Sequence, residues 1–236
     1  MKKATSFILI LILLISIFER SVFTQKRVSQ ISMIETGEFH GDEITAKSGE
    51  RWLGLFPTPD GFALLFTTLI VEAAHDPIVD EKPKVKTGKK VSVSRTRKPV
   101  FLLNDASLLR RGAVNAVLTD EKYLGNGGFV DLSMGGKKYH LKVVSADPTP
   151  ANILMPNSKL VFSSEGMSQI IFSVEEPDDG SWSLLWAGDL DGDGKLDLYM
   201  DLHNKYNSSQ RRLFLSSHAS RGNLVKEVAE FSTVGC

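Results

Sequence analysis

Trp182-Ser-Leu-Leu-Trp186-Ala-Gly-Asp189-Leu-Asp191-Gly-Asp193-Gly194-Lys195-Leu-Asp197-Leu-Tyr-Met200 decides the reading of this chain. Within it, carboxylates fall at positions 1, 3, 5 and 9 of a nine-residue loop, with glycine at position 6. Alternate residues of an irregular loop can aim inward, and glycine permits the bend between them. Two like charges ~5 Å apart repel by roughly 3 kcal/mol at an effective dielectric of ~20. A loop that gathers four carboxylates therefore calls for a cation. Ca²⁺ suits it, because that hard ion takes six to eight oxygens from mixed side-chain and backbone donors. The expected ligands are the side chains of Asp189, Asp191, Asp193 and Asp197, with the backbone carbonyl of Lys195 at position 7. The bland alternative is an acidic turn that binds nothing.

The flanks say what the loop connects. Downstream, Leu196, Leu198, Met200 and Leu202 alternate with Asp197, Tyr199, Asp201 and His203. Upstream, Trp182, Leu184 and Trp186 alternate with Ser183, Leu185 and Ala187. Period-two alternation is a strand signal. An EF-hand is excluded, since it needs flanking helices and a glutamate at position 12, where this chain has Met200. The strand–DxDGDGxxD–strand unit over about residues 184–200 resembles the calcium loops of FG-GAP/VCBS-type repeats, the blades of integrin α-subunit propellers and of many exported bacterial proteins. The resemblance implies a calcium site and supports the side-chain ligand set given above. It does not imply a propeller, which needs several blades; the sequence carries one such loop.

The remaining segments read as hairpins. Ile44-Thr-Ala46 and Arg51–Phe56 are expected to pair across Lys47-Ser48-Gly49, and Asp60-Gly61 is a turn. Phe62–Val71 is a continuous apolar run, expected to be a largely buried strand. Ser107–Leu118 suits a helix or a strand, and Gly112 weakens the helix. Gly135-Gly136 and Glu165-Gly166 each sit between two apolar-alternating runs, a hairpin signature. Arg211–Ser216 is a strand, whereas Leu224, Val225, Val228 and Phe231 have helical spacing. Pro148-Thr-Pro150 reads as a linker. The expected fold is mostly β: antiparallel hairpins in two β-rich halves, sandwich- or barrel-like, over residues 35–147 and 151–236.

The chain has 236 residues and a formal net charge of zero. Zero net charge argues against nucleic acid as the main partner, since phosphate binding needs a basic excess. Residues 1–24 read as a signal peptide or an uncleaved anchor. Met1-Lys2-Lys3 is a basic start and Phe7–Phe18 an apolar run of twelve, too short for a spanning helix of ~20 residues and right for an export signal. That implies a periplasmic or extracellular place, with membrane contact only through this segment if it stays uncleaved. The single cysteine, Cys236, cannot form an internal disulfide. Residues 82–98 carry eight Lys or Arg, read as a solvated surface or as a dock for an anionic partner. Asn207-Ser208-Ser209 is a glycosylation sequon.

No enzyme signature is present. His40, His75, His140, His203 and His218 have no zinc-seating spacing, and there is neither a GxSxG elbow nor a phosphate loop. Asp201 and His203 extend the strand leaving the loop and are expected on a polar outward face. The expectation is thus an exported, non-catalytic β-protein with a structural Ca²⁺, binding an unidentified protein or glycan at the cell envelope. The alternative is a hydrolase acting on envelope or extracellular polymers.

Overall fold

The computed structural model describes residues 31–104, 106–107 and 109–235, and among these residues the chain is all-β with no helix. The 1–24 segment and Cys236 lie outside the described residues. The strands begin with β1 (Ser32–Ile34), β2 (Gly37–Phe39), β3 (Arg51–Thr58) and β4 (Gly61–Ala74). Next come β5 (Gly88–Val93), β6 (Leu102–Asn104), β7 (Gly112–Leu118) and β8 (Lys122–Leu124). A meander follows: β9 (Phe129–Met134), β10 (Lys137–Val144), β11 (Ser158–Ser164) and β12 (Met167–Val174). The chain closes with β13 (Trp182–Asp189), β14 (Asp197–Asp201), β15 (Ser208–Leu215) and β16 (Lys226–Val234).

Twelve strands form one antiparallel sheet along the path β1-β6-β3-β4-β7-β13-β14-β15-β16, with β5, β2 and β8 attached beside it. β1 returns next to β16, so the sheet nearly closes into a barrel. Phe39 packs edge-on against Phe231 at 5.4 Å, and the Val234 N–H donates to Glu43 Oε1 at 2.6 Å, which seals this seam. The second sheet is β12-β11-β10-β9. Its two tight turns follow from their residues. Gly135 (φ 58°) and Gly136 (φ 78°) are both left-handed, as are Glu165 (φ 48°) and Gly166 (φ 81°). Two consecutive positive φ values are what a two-residue hairpin loop needs to match strand twist.

Two cores share strands β13–β15. Trp186, Tyr199, Leu213 and Leu215 face the barrel interior with Trp52, Leu55, Leu64 and Phe101. Trp182, Leu184, Ala187, Leu198, Met200 and Phe214 face the second sheet, against Leu132, Tyr139, Leu141, Leu160 and Phe162. All of β14 is buried, and its central Leu198-Tyr199-Met200 is apolar on both faces. The register of β13 against β14 slips between Leu184 and Trp186. Such a bulge moves every later side chain to the other face. Trp186 therefore joins the barrel core rather than the face of Trp182 and Leu184, which corrects the simple alternation.

Four further expectations change. The sheets do not divide at Pro148–Pro150: β7 pairs with β13, and β10 with β11, across that segment. The real division lies between β8 and β9 and between β12 and β13, so residues 35–147 and 151–236 are not separate sheets. Residues 44–46 form no strand, because β3 pairs instead with β4 across Pro59-Asp60. β4 is buried only in part: Leu64, Thr67 and Leu69 are buried, whereas Phe66 and Ile70 are each 39% exposed. The 224–231 stretch is not helical but enters β16, whose register slips opposite Leu213 and Phe214 and so breaks the period-two pattern.

Candidate metal centre

The loop is the connection between β13 and β14. Asp189 ends β13 and Asp197 opens β14. Gly192 (φ 80°) and Gly194 (φ 78°) provide the two left-handed residues that fold the chain back. The carboxylates organise the loop. Asp189 accepts from the N–H groups of Gly192 (2.8 Å) and Gly194 (3.0 Å). Asp191 accepts from Asp193 N–H at 3.2 Å, and Asp193 from Lys195 N–H at 2.8 Å. Asp197 is fully buried and accepts from Leu190 N–H (2.7 Å) and Ser216 N–H (2.8 Å).

Ligand oxygens of Asp189, Asp191 and Asp197 lie within 4.8 Å of one another, so this triad could hold a metal ion. Burial, joined by the repulsion of Asp191, pushes the Asp197 carboxyl up to about 8, against its two N–H donors. A divalent ion would relieve that repulsion and supply the missing positive charge. Asp193 is not one of the three carboxylates of this triad. Asp193 accepts from Ser216 Oγ at 2.9 Å and lies 3.4 Å from the Lys195 ammonium.

A brace absent from the sequence reading is Ser216-Ser217, directly after β15. Beyond the contacts of Ser216, Ser217 Oγ donates to Asp191 Oδ2 at 2.5 Å. These serines lie 19 to 26 residues from their partners, and no local pattern marks them. The second sheet also reaches the loop: a Cβ added to Gly135 would lie 2.9 Å from the Gly194 carbonyl oxygen.

Asp201 and His203 are not on an outward face. Asp201 is buried, 2.5 Å from Arg211 Nη1, and accepts from Gln210 N–H at 2.8 Å. Arg211 Nε also lies 3.3 Å from Glu35, which accepts from the Tyr199 hydroxyl at 2.7 Å. Burial opposes the charge on Asp201, but His203 and Arg211 outweigh it and hold the carboxyl below its usual range. Burial and then Glu35 push the Tyr199 hydroxyl well up. This network is structural: it ties β14 to β15 and to the residue after β1.

A second polar cluster was also missed, because its partners are far apart in sequence. His40 Nδ1 lies 2.5 Å from Asp76 Oδ2. Asp76 accepts from Ile78 N–H at 3.0 Å, and Asp80 from Asp76 N–H at 2.8 Å. The hydrogen bond to Asp76 holds His40 above its ordinary value, and that to His40 holds Asp76 below its own. His40 lines a pocket of about 290 Å³ with His75 and Glu43.

Compared with protein-family descriptions, curated proteins and solved structures, the chain matches none.

Proposed function

We propose that this protein is an exported, non-catalytic binding module whose 189–197 loop holds Ca²⁺ as a structural ion. The observation that carries the reading is the fully buried Asp197, whose oxygens converge with those of Asp189 and Asp191. A buried carboxylate beside two others is costly unless a cation joins them. The nearby ammonium of Lys195 is engaged by Asp193 instead. Hard oxygen donors on an irregular loop favour Ca²⁺ over the smaller Mg²⁺, which demands stricter octahedral geometry. The FG-GAP/VCBS-like pattern supports the same ion. Extracellular calcium modules work at Kd ~10⁻⁴–10⁻³ M, in keeping with export through the 1–24 segment. The bound ion would fix the β13–β14 hairpin, on which both cores rest, and the module would meet a protein or glycan at the cell envelope.

Thermal melts with Ca²⁺, Mg²⁺ or chelator test this. Ca²⁺ at a hundred times its Kd adds roughly 2.7 kcal/mol. The reading predicts a Tm rise of several degrees that Mg²⁺ does not match and that Asp189→Ala with Asp191→Ala abolishes. An unchanged Tm in wild type contradicts it.

One observation favours the hydrolase alternative. The carboxylate of Asp76 orients His40 beside a pocket, the arrangement a general base uses. Turnover of an envelope polymer that His40→Ala abolishes would support that reading over the binding one.

A further inference from the structure

Where β8 meets β9, two exposed aromatic rings flank a cleft of about 680 Å³. Tyr123 is 71% exposed and Phe129 60%. Large aromatic side chains ordinarily bury most of their surface, so two left open on one cleft ask for a ligand. The volume lies within the range of ligand clefts, ~300–1,000 Å³.

The cleft is built rather than incidental. Its floor is the Gly125–Gly128 turn, pressed against the segment after Pro148 so closely that a Cβ on Gly125 would lie 2.1 Å from the Ala151 carbonyl oxygen. Buried Asn126 straps the two together. Its carboxamide donates to the carbonyls of Asp147 (2.8 Å) and Thr149 (2.6 Å) and accepts from Ser145 Oγ (2.8 Å). Its backbone N–H donates to the Ile153 carbonyl at 3.1 Å, and its carbonyl accepts from Ala151 N–H at 3.1 Å. Behind the Phe129 ring stands His140 at 5.6 Å, itself held 2.6 Å from Asp131.

The chemistry of the lining selects the ligand. No residue lining the cleft carries a charge at neutral pH, in a chain with 24% charged residues. An ion entering it would lose hydration without gaining a countercharge. The rings suit a ligand with a flat apolar face. The rim suits one with hydroxyl groups, since the exposed Asn152 carboxamide makes no hydrogen bond within the described residues. A pyranose ring has both. A proline-rich peptide also stacks on aromatic side chains, but proline has no N–H to offer the carboxamide oxygen or the loop carbonyls.

We propose that the Tyr123–Phe129 cleft binds a neutral polysaccharide by stacking sugar rings on the two aromatic side chains. The proposal rests on the binding-module reading and names the class of its ligand. The cleft is separate from the metal loop. β9 starts at Phe129 in the cleft and ends at the turn beside Gly194, and six residues of strand span ~20 Å.

The test is calorimetric titration of the full-length protein with cellohexaose, laminarihexaose, chitohexaose and maltohexaose, with decaproline as the contrasting probe. At least one hexasaccharide should bind saturably. Tyr123→Ala and Phe129→Ala should each weaken it at least tenfold and Asn152→Ala severalfold, with Tm and its response to Ca²⁺ unchanged in all three. The proposal is overturned if no hexasaccharide binds, if binding survives both aromatic substitutions, or if decaproline binds and the sugars do not. Failure here with an intact calcium response removes the cleft alone. Sugar binding with no calcium response removes the metal reading alone.

Discussion

Asp197→Asn should remove the pH dependence of stability that the loop imposes on the metal-free protein. The folded Asp197 carboxyl titrates at about 8, whereas an unfolded aspartate titrates near ~4. Between those values the folded state holds a proton that the unfolded chain has released. Stability therefore falls as pH rises, by about 1.4 kcal/mol per pH unit, until the folded carboxyl itself ionises. From pH 5 to pH 8 the loss is about 3–4 kcal/mol. For a chain of this size, at ~2–4 °C per kcal/mol, that is a fall of about 10 °C in Tm. In the Asn variant no charge appears at any pH. One of the two donors, Leu190 N–H or Ser216 N–H, loses its acceptor, at a cost of about 1 kcal/mol. In chelator the variant should therefore be slightly less stable than wild type at pH 5 and more stable at pH 8, so the two curves cross. The assay is thermal unfolding by circular dichroism at half-unit pH steps. His40 adds loss in the same direction as pH rises, but equally in both proteins, so the difference between them isolates Asp197. The reasoning is refuted if metal-free wild type gains stability from pH 5 to pH 8, or if Asp197→Asn keeps the wild-type slope.

Three other perturbations follow from the same geometry. Asp201→Ala leaves the Arg211 guanidinium half-desolvated without its closest partner and should cost about 3 kcal/mol in urea unfolding; a loss under 1 kcal/mol would show the pair to be dispensable. Gly194→Ala meets no neighbouring atom within 4 Å but must hold φ +78°. It should cost about 1–2 kcal/mol and weaken Ca²⁺ binding about tenfold in a calorimetric titration; unchanged affinity would separate the turn from the site. The His40–Asp76 pair should stabilise fully below the ordinary histidine value of 6.5 and lose that contribution as pH rises through the raised folded value. On the acid side it should weaken only as pH falls through the lowered Asp76 value. NMR titration of His40 should therefore give a midpoint above 6.5, and one below it would contradict the pairing.

Local chemistry made part of this architecture legible. Gly135-Gly136 and Glu165-Gly166 turn where they do because two consecutive left-handed residues close a hairpin, and both turns are as read. The alternation of Leu198 and Met200 with Asp197 and Tyr199 placed β14 correctly, and of the four carboxylates that the loop spacing singled out, those of Asp189, Asp191 and Asp197 converge. What escaped was set by partners distant in the chain. Asp201 looked like surface, but Arg211 and the Gln210 N–H of the neighbouring strand enclose it. Ser216 and Ser217 reach the loop only because β15 lies beside β14. Bulges hid the rest: a slip in β13 turns Trp186 into the barrel, and a slip against β16 makes a strand look helical. The cleft at Tyr123 and Phe129 was equally invisible, since its walls come from β8, β9 and the segment after Pro148.

The most direct measurement is an isothermal titration of chelator-treated protein with Ca²⁺, repeated with Mg²⁺ and on Asp189→Ala with Asp191→Ala. The account predicts one Ca²⁺ per chain, Mg²⁺ binding at least tenfold weaker, and no Ca²⁺ heat in the variant. A stoichiometry of zero, or Ca²⁺ binding that persists in the variant, would contradict it.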